Sequence, residues 1–133
     1  MRVYITHCSA KKGNLLKEPG EKATPDRLYT AAPTRRFMKK CKEREVDWAI
    51  FSDRYRVWFP NTENSRCGKS PGSVTVDEFA GLVRDFDNKL WKYGEVMFYN
   101  SPGRFHRLYK RLLDASTSRD KIKMITHHGE IVR

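Results

Sequence analysis

The chain has no long apolar run; its longest uninterrupted stretches hold four residues, as in Trp48–Phe51. A helix that crosses a bilayer needs about 20, so none is expected. Thr6 and His7 directly follow a three-residue apolar stretch, which is not the pattern of a secretory leader. Cysteine is scarce and odd in number: Cys8, Cys41 and Cys67, with no Cys-x-x-Cys pair. That excludes a disulfide scaffold and fits reduced thiols in the cytoplasm. Internal repeats are missing too. Ser-Pro-Gly recurs at Ser70–Gly72 and Ser101–Gly103, but two tripeptides do not make an array. Acidic residues are outnumbered, 16 Asp and Glu against 27 Lys and Arg, which leaves a net charge of +11. Such a surplus attracts polyanions, because neutralising phosphates releases their condensed counterions. The plainer reading is solubility alone.

What is present is one domain's worth: 133 residues, 38% hydrophobic, lean but sufficient for a single core. Arg2–His7 (RVYITH) reads as a strand, followed by a polar loop from Cys8 to about Lys22. Pro33 suits the first turn of a helix to about Arg44, with Phe37, Met38 and Cys41 on one face. Asp47–Ser52 (DWAIFS) reads as a strand buried on both faces. Asn61–Ser73 reads as a long loop. Thr75 and Glu78 fit a capping box, and Phe79, Leu82, Val83, Phe86 and Leu90 carry the helical period to about Trp91. Glu95–Tyr99 is a third strand. Ser101 and Pro102 resemble the cap and first position of a third helix, with Phe105, Leu108, Tyr109, Leu112 and Leu113 as its stripe. Lys121–Thr126 is a fourth strand.

Strands that alternate with amphipathic helices predict a single α/β domain over residues 1–133. Its form is a three-layer sandwich, with helices on both faces of a mostly parallel sheet of about four strands. In such a sheet, ligands bind beyond the carboxyl ends of the strands. Those ends carry His7, Cys8, Ser9, Lys11 and Lys12; then Ser52, Asp53, Arg54 and Tyr55; then Asn100, Ser101 and Gly103; then His127 and His128. Turn chemistry does not require this collection of thiol, carboxylate, amines and imidazoles.

Cys8 is a candidate nucleophile, since Lys11, Lys12 and His7 would favour its thiolate. Its plainer reading is a small buried residue. Cys41 reads as core and Cys67 as incidental. A zinc site from His7, Cys8, Cys67, His127 and His128 has no recognised ligand spacing, and no metal is assigned. The helix expected after Ser101 offers backbone N–H groups to an anion, with Arg104 reinforcing the field. No P-loop or Gly-x-Gly-x-x-Gly spacing occurs, so no cofactor is assigned. The cations on the first and third helices read as solvated faces. Tyr55, Trp58 and Phe59 among Arg54 and Arg56 suit either base stacking or closure of the core.

Three segments carry a resemblance: Cys8-x-x-x-Lys12; Leu28-Tyr29-Thr30 with Phe37; and Trp48–Tyr55 leading to Pro60. They resemble an uncharacterised family of small α/β domains of archaea, bacteria and phages. Its pattern is Cys-x-x-x-Lys, Leu-Tyr with a later Phe, and a strand ending Ser-Ala-Lys-(Tyr/His)-Gly-Leu before a Pro. The opening is also similar to the uracil-DNA-glycosylase-like middle domain of archaeosine synthase. Gly13-Asn14 replaces that domain's Pro-Tyr, Lys17 stands near its Ser and His, and Arg56 stands where the wider family has Gly.

The resemblance implies a nucleobase or nucleic-acid site with Cys8 and Lys12 as key groups. The reaction of archaeosine synthase also uses a base-holding partner domain, so a partner subunit joins the expectations. The expected activity is an enzyme, or enzyme subunit, acting on a modified nucleobase, nucleotide or nucleic acid. Cys8, Lys12 and Asp53 form its catalytic set. Ser9, Tyr29, Ser52, Tyr55, Asn100, Ser101 and Arg104 are its substrate contacts. The rival is a non-catalytic nucleic-acid-binding module.

Overall fold

A computed structural model describes residues 2–7, 22–24, 32–52, 56–65, 74–100 and 107–132. Strands β1 (Arg2–His7) and β2 (Lys22–Ala23) precede helix α1 (Ala32–Arg44). Strands β3 (Asp47–Ser52), β4 (Arg56–Trp58) and β5 (Asn64–Ser65) lead to helix α2 (Val76–Leu90). Strand β6 (Glu95–Tyr99), helix α3 (Arg107–Ala115) and strand β7 (Ile122–Ile125) complete the order. The main sheet runs β4-β3-β1-β6-β7. Strand β1 is parallel to β3 and β6, and β6 to β7, whereas β4 returns antiparallel to β3. The described residues form a mixed α/β fold, with a five-stranded, mostly parallel sheet and three α-helices.

The main strands and the first two helices follow the sequence pattern closely, with two corrections. The main sheet has five strands rather than about four, because β4 lies inside the aromatic stretch Tyr55–Pro60. Three residues are too few for a period of two to show. Asn64–Ser65, expected as loop, pairs antiparallel with Lys22–Ala23 in a separate two-stranded sheet.

Alternate strand residues divide between two cores, because side chains alternate across a strand. Val3, Ile5, Ala49, Phe51, Val96 and Phe98 pack with Leu82, Phe86, Leu90, Tyr109 and Leu112 of α2 and α3. Tyr4, Trp48, Ile50, Tyr99 and Ile125 pack with Phe37, Met38 and Cys41 of α1. Each large apolar side chain so buried contributes roughly 1.5–3 kcal/mol. Burial pushes the Cys41 thiol far above its ordinary range, as expected of a core cysteine. Trp58 is also core, its indole N–H donating to the Thr62 carbonyl at 2.7 Å. Phe59 packs against the first core. These two aromatics therefore close the core rather than present a stacking platform.

Local chemistry fixes the helix ends. The Thr75 hydroxyl accepts from Glu78 N–H at 3.2 Å, and the Glu78 carboxylate accepts from Thr75 N–H at 3.0 Å, completing the capping box. At the other end of α2, the Lys121 ammonium donates to the carbonyls of Leu90, Trp91 and Tyr93 at 3.3, 2.9 and 2.6 Å. Helix α1 ends in a Schellman motif. Val46 N–H reaches the Cys41 carbonyl, Glu45 N–H reaches that of Lys42, and Glu45 takes the left-handed conformation at φ 55°.

Candidate functional site at the strand ends

Numbered along the chain, the four parallel strands β1, β3, β6 and β7 stand in the order 2-1-3-4. Successive crossovers therefore depart from β1 in opposite directions. The gap between β1 and β6 is the topological switch point, where open α/β sheets place their ligands. Thr6 is in register with Tyr99, so His7 and Asn100 are the next pair outward. His7 Nε2 lies 3.1 Å from Asn100 Oδ1. That oxygen only accepts, so Nε2 carries the proton in this contact. The imidazole also stacks on Tyr109 of α3, with centroids 4.8 Å apart and 18° between the planes. Phe98 lies beyond at 6.5 Å.

The surrounding backbone is pinned. The Thr6 hydroxyl, buried, donates to the Tyr99 carbonyl at 2.7 Å. Asn100 N–H donates to the Ile125 carbonyl at 2.9 Å, tying the end of β6 to β7. His7 is therefore an oriented, half-buried imidazole held between the end of β6 and helix α3. Such a group can transfer a proton, donate to an oxyanion or fix a polar ligand.

Ser52 ends β3 beside β1, since Phe51 is in register with His7. The parallel pairing thus brings the ends of β1, β3 and β6 to one edge, with Asn100 on it. Cys8, Ser9, Lys12, Tyr29, Asp53, Tyr55, Ser101 and Arg104 lie outside the described residues, as do Cys67 and the expected cap of the third helix. From the sequence, His7 is a strand-end residue, a positive neighbour of Cys8 and a member of the unsupported zinc set, but not a site residue in its own right, and Tyr109 reads only as core. The pairing of His7 with Asn100 spans 93 positions; its one signal was that both residues sit at strand ends.

The His127 end of β7 is a capped turn. The Glu130 carboxylate accepts from the N–H groups of Thr126 and His127, both at 3.0 Å, while His127 Nδ1 accepts from Gly129 N–H at 2.8 Å. Among the described residues, no group of three or more His, Cys, Asp or Glu side chains could hold a metal ion. Nor is any of their helices long and apolar enough to cross a membrane.

The opposite edge, where the parallel strands begin, holds clefts of about 410 and 480 Å³. The first is lined partly by Arg2, Glu45, Asp47 and Glu95. Arg2 pairs with Glu95 at 3.2 Å and Lys123 approaches the same carboxylate at 3.8 Å, so the lining carries more negative than positive charge. Tyr93 hydrogen-bonds Asp47. The lining of the first cleft therefore has no surplus of positive charge to draw a phosphate.

No protein-family model, no curated protein and no solved structure matches the chain.

Proposed function

We propose that the protein is an enzyme, or enzyme subunit, acting on a nucleobase, nucleotide or nucleic acid at the carboxyl edge of its sheet. The observation that carries this reading is the contact of His7 with Asn100 at the β1/β6 switch point, with the end of β3 alongside. In this reading Cys8 is the nucleophile or polarising group, and Lys12 holds the thiolate or a phosphate. Asp53 moves a proton. Ser9, Ser52 and Asn100 hydrogen-bond the base, Tyr29 and Tyr55 pack against it, and Ser101 and Arg104 receive an anion. The division of strand residues between two cores supports the three-layer form, with α1 over one face and α2 and α3 over the other.

The left-handed backbone of Arg56, at φ 68°, supports the resemblance noted in the sequence. The related family has glycine there, and glycine is the residue that adopts this conformation without strain.

The test is an NMR titration with nucleoside monophosphates and nucleobases. Shifts are expected in the His7 ring and the Asn100 side-chain amide, and Cys8→Ala should abolish turnover of any substrate found. Shifts confined to Arg2, Asp47 and Glu95 at the opposite edge would move the site away from the strand ends. Full turnover by Cys8→Ala would remove the nucleophile.

A further inference from the structure

Among the described helices, α1 carries the largest positive surplus, while α3 carries Arg107, Lys110 and Arg111 against Asp114. Helix α1 carries Arg35, Arg36, Lys39, Lys40, Lys42 and Arg44 against Glu43 alone. Helix α2 carries Arg84 and Lys89 against Asp77, Glu78, Asp85 and Asp87. Arg35, Lys39 and Lys42 are all exposed and recur at i, i+4 and i+7, which sets them in one stripe of the helix. Arg36 and Arg44 extend the positive surface around it and are also exposed.

The direction of α1 relates this surface to the strand ends. Strands β1 and β3 are parallel, so the helix between them runs back against them. Its first turns therefore lie at the carboxyl edge. Phe37 stacks on Tyr99 with centroids 5.5 Å apart, and Tyr99 immediately precedes Asn100. Arg35 and Arg36 come just before Phe37. The stripe thus begins near the strand-end site and continues away from it for about 10.5 Å, at 1.5 Å per residue.

We infer that the exposed face of α1 binds the phosphate backbone of a nucleic-acid strand and leads it to the carboxyl edge. The substrate class is then a polynucleotide rather than a free base or mononucleotide. A strand presents roughly one phosphate per 3.4 Å of duplex axis, so the stripe opposes about three. An anionic membrane fits less well. A surface-bound helix inserts an apolar face, whereas Phe37, Met38 and Cys41 of α1 are buried in the core. The route toward the edge rests on the proposed strand-end site, but the backbone-binding surface stands independently of it.

The experiment measures anisotropy of fluorescein-labelled single-stranded DNA and RNA of about 20 nucleotides across a salt series. The wild-type chain is compared with R35E/K39E/K42E, and with R84E/K92E/R119E, which changes net charge equally at other exposed positions. The first triple should weaken binding at least tenfold at about 0.1 M salt and lower the slope of log K against log salt by about 2, from roughly 0.7 per lost contact. The second should retain most of the slope. R35Q/K39Q/K42Q repeats the test should charge reversal disturb folding.

Equal losses in both triples would overturn the assignment to α1. Absence of binding at low salt would overturn the polynucleotide inference, while the mononucleotide titration judges the strand-end site separately. Equal affinity for polyglutamate or anionic vesicles would also reject nucleic acid as the partner.

Discussion

At the scale of single residues, Lys121 does the most with one side chain. Three backbone carbonyls at and beyond the end of α2 converge on its ammonium, where the helix dipole also favours a cation. Lys121→Met keeps most of the apolar stem and removes the charge, so stability should fall by about 1–2 kcal/mol. A urea midpoint unchanged from wild type would show that water replaces the ammonium without loss. Glu45 gives the opposite expectation. It holds the left-handed position of the Schellman motif that glycine prefers, so Glu45→Gly should stabilise the protein by about 0.5–1 kcal/mol. Tyr93 adds a pH dependence. Burial first, then the charge and hydrogen bond of Asp47, raise its phenol above the ordinary 10.0. Above that value the unfolded chain releases the phenolic proton while the folded chain keeps it, so this contribution declines as pH rises further. Tyr93→Phe should flatten the alkaline limb of a stability–pH curve; an unchanged limb would assign it to other groups.

At the scale of elements, β4 is the informative case. An edge strand exposes backbone groups that invite pairing with another chain. Here α2 occupies them: Val57 N–H donates to the Asp85 carboxylate at 3.0 Å, and Lys89 donates to the Val57 carbonyl at 2.9 Å. Asp85 and Lys89 are themselves paired at 3.1 Å. Asp85→Ala leaves the Val57 donor without that acceptor and should cost about 1–3 kcal/mol, with concentration-dependent association visible by size-exclusion chromatography. Asp85→Asn keeps an acceptor and should cost less. Equal losses would place the effect in the ion pair instead. Nothing in the local sequence announced this strand, because its three residues are held by α2 side chains 28 and 32 positions away. By contrast, β1, β3 and β6 were legible to the residue, since continuous apolar runs bounded by polar turns mark buried parallel strands. The capping box likewise marked the start of α2, because both partners lie within four residues.

At the scale of the whole molecule, strand order was the decisive feature that no local pattern encodes. Sequence reading named Asn100 as a strand-end residue. Only the order β3-β1-β6 makes His7 its neighbour, and therefore makes that pair the centre of the edge. The same order ranks the sheet by stability. Strand β1 is hydrogen-bonded on both sides, supplies Val3 and Ile5 to one core and Tyr4 to the other, and all three are fully buried. The Tyr4 hydroxyl also ties β1 to Val132, donating to its carbonyl at 2.8 Å and accepting from its N–H at 3.1 Å. Opening β1 must disrupt both cores together, whereas β4 and β7 have one strand neighbour each. Native-state hydrogen exchange should therefore find the amides of Val3–Thr6 exchanging only through global unfolding, with β4 and β7 opening at lower free energy. Tyr4→Phe should lower the protection of β1 and the global stability by the same amount, because no smaller opening exposes β1. Exchange from β1 as fast as from β4 would mean that the two cores unfold separately, and that the strand carrying His7 is not the rigid centre of the sheet.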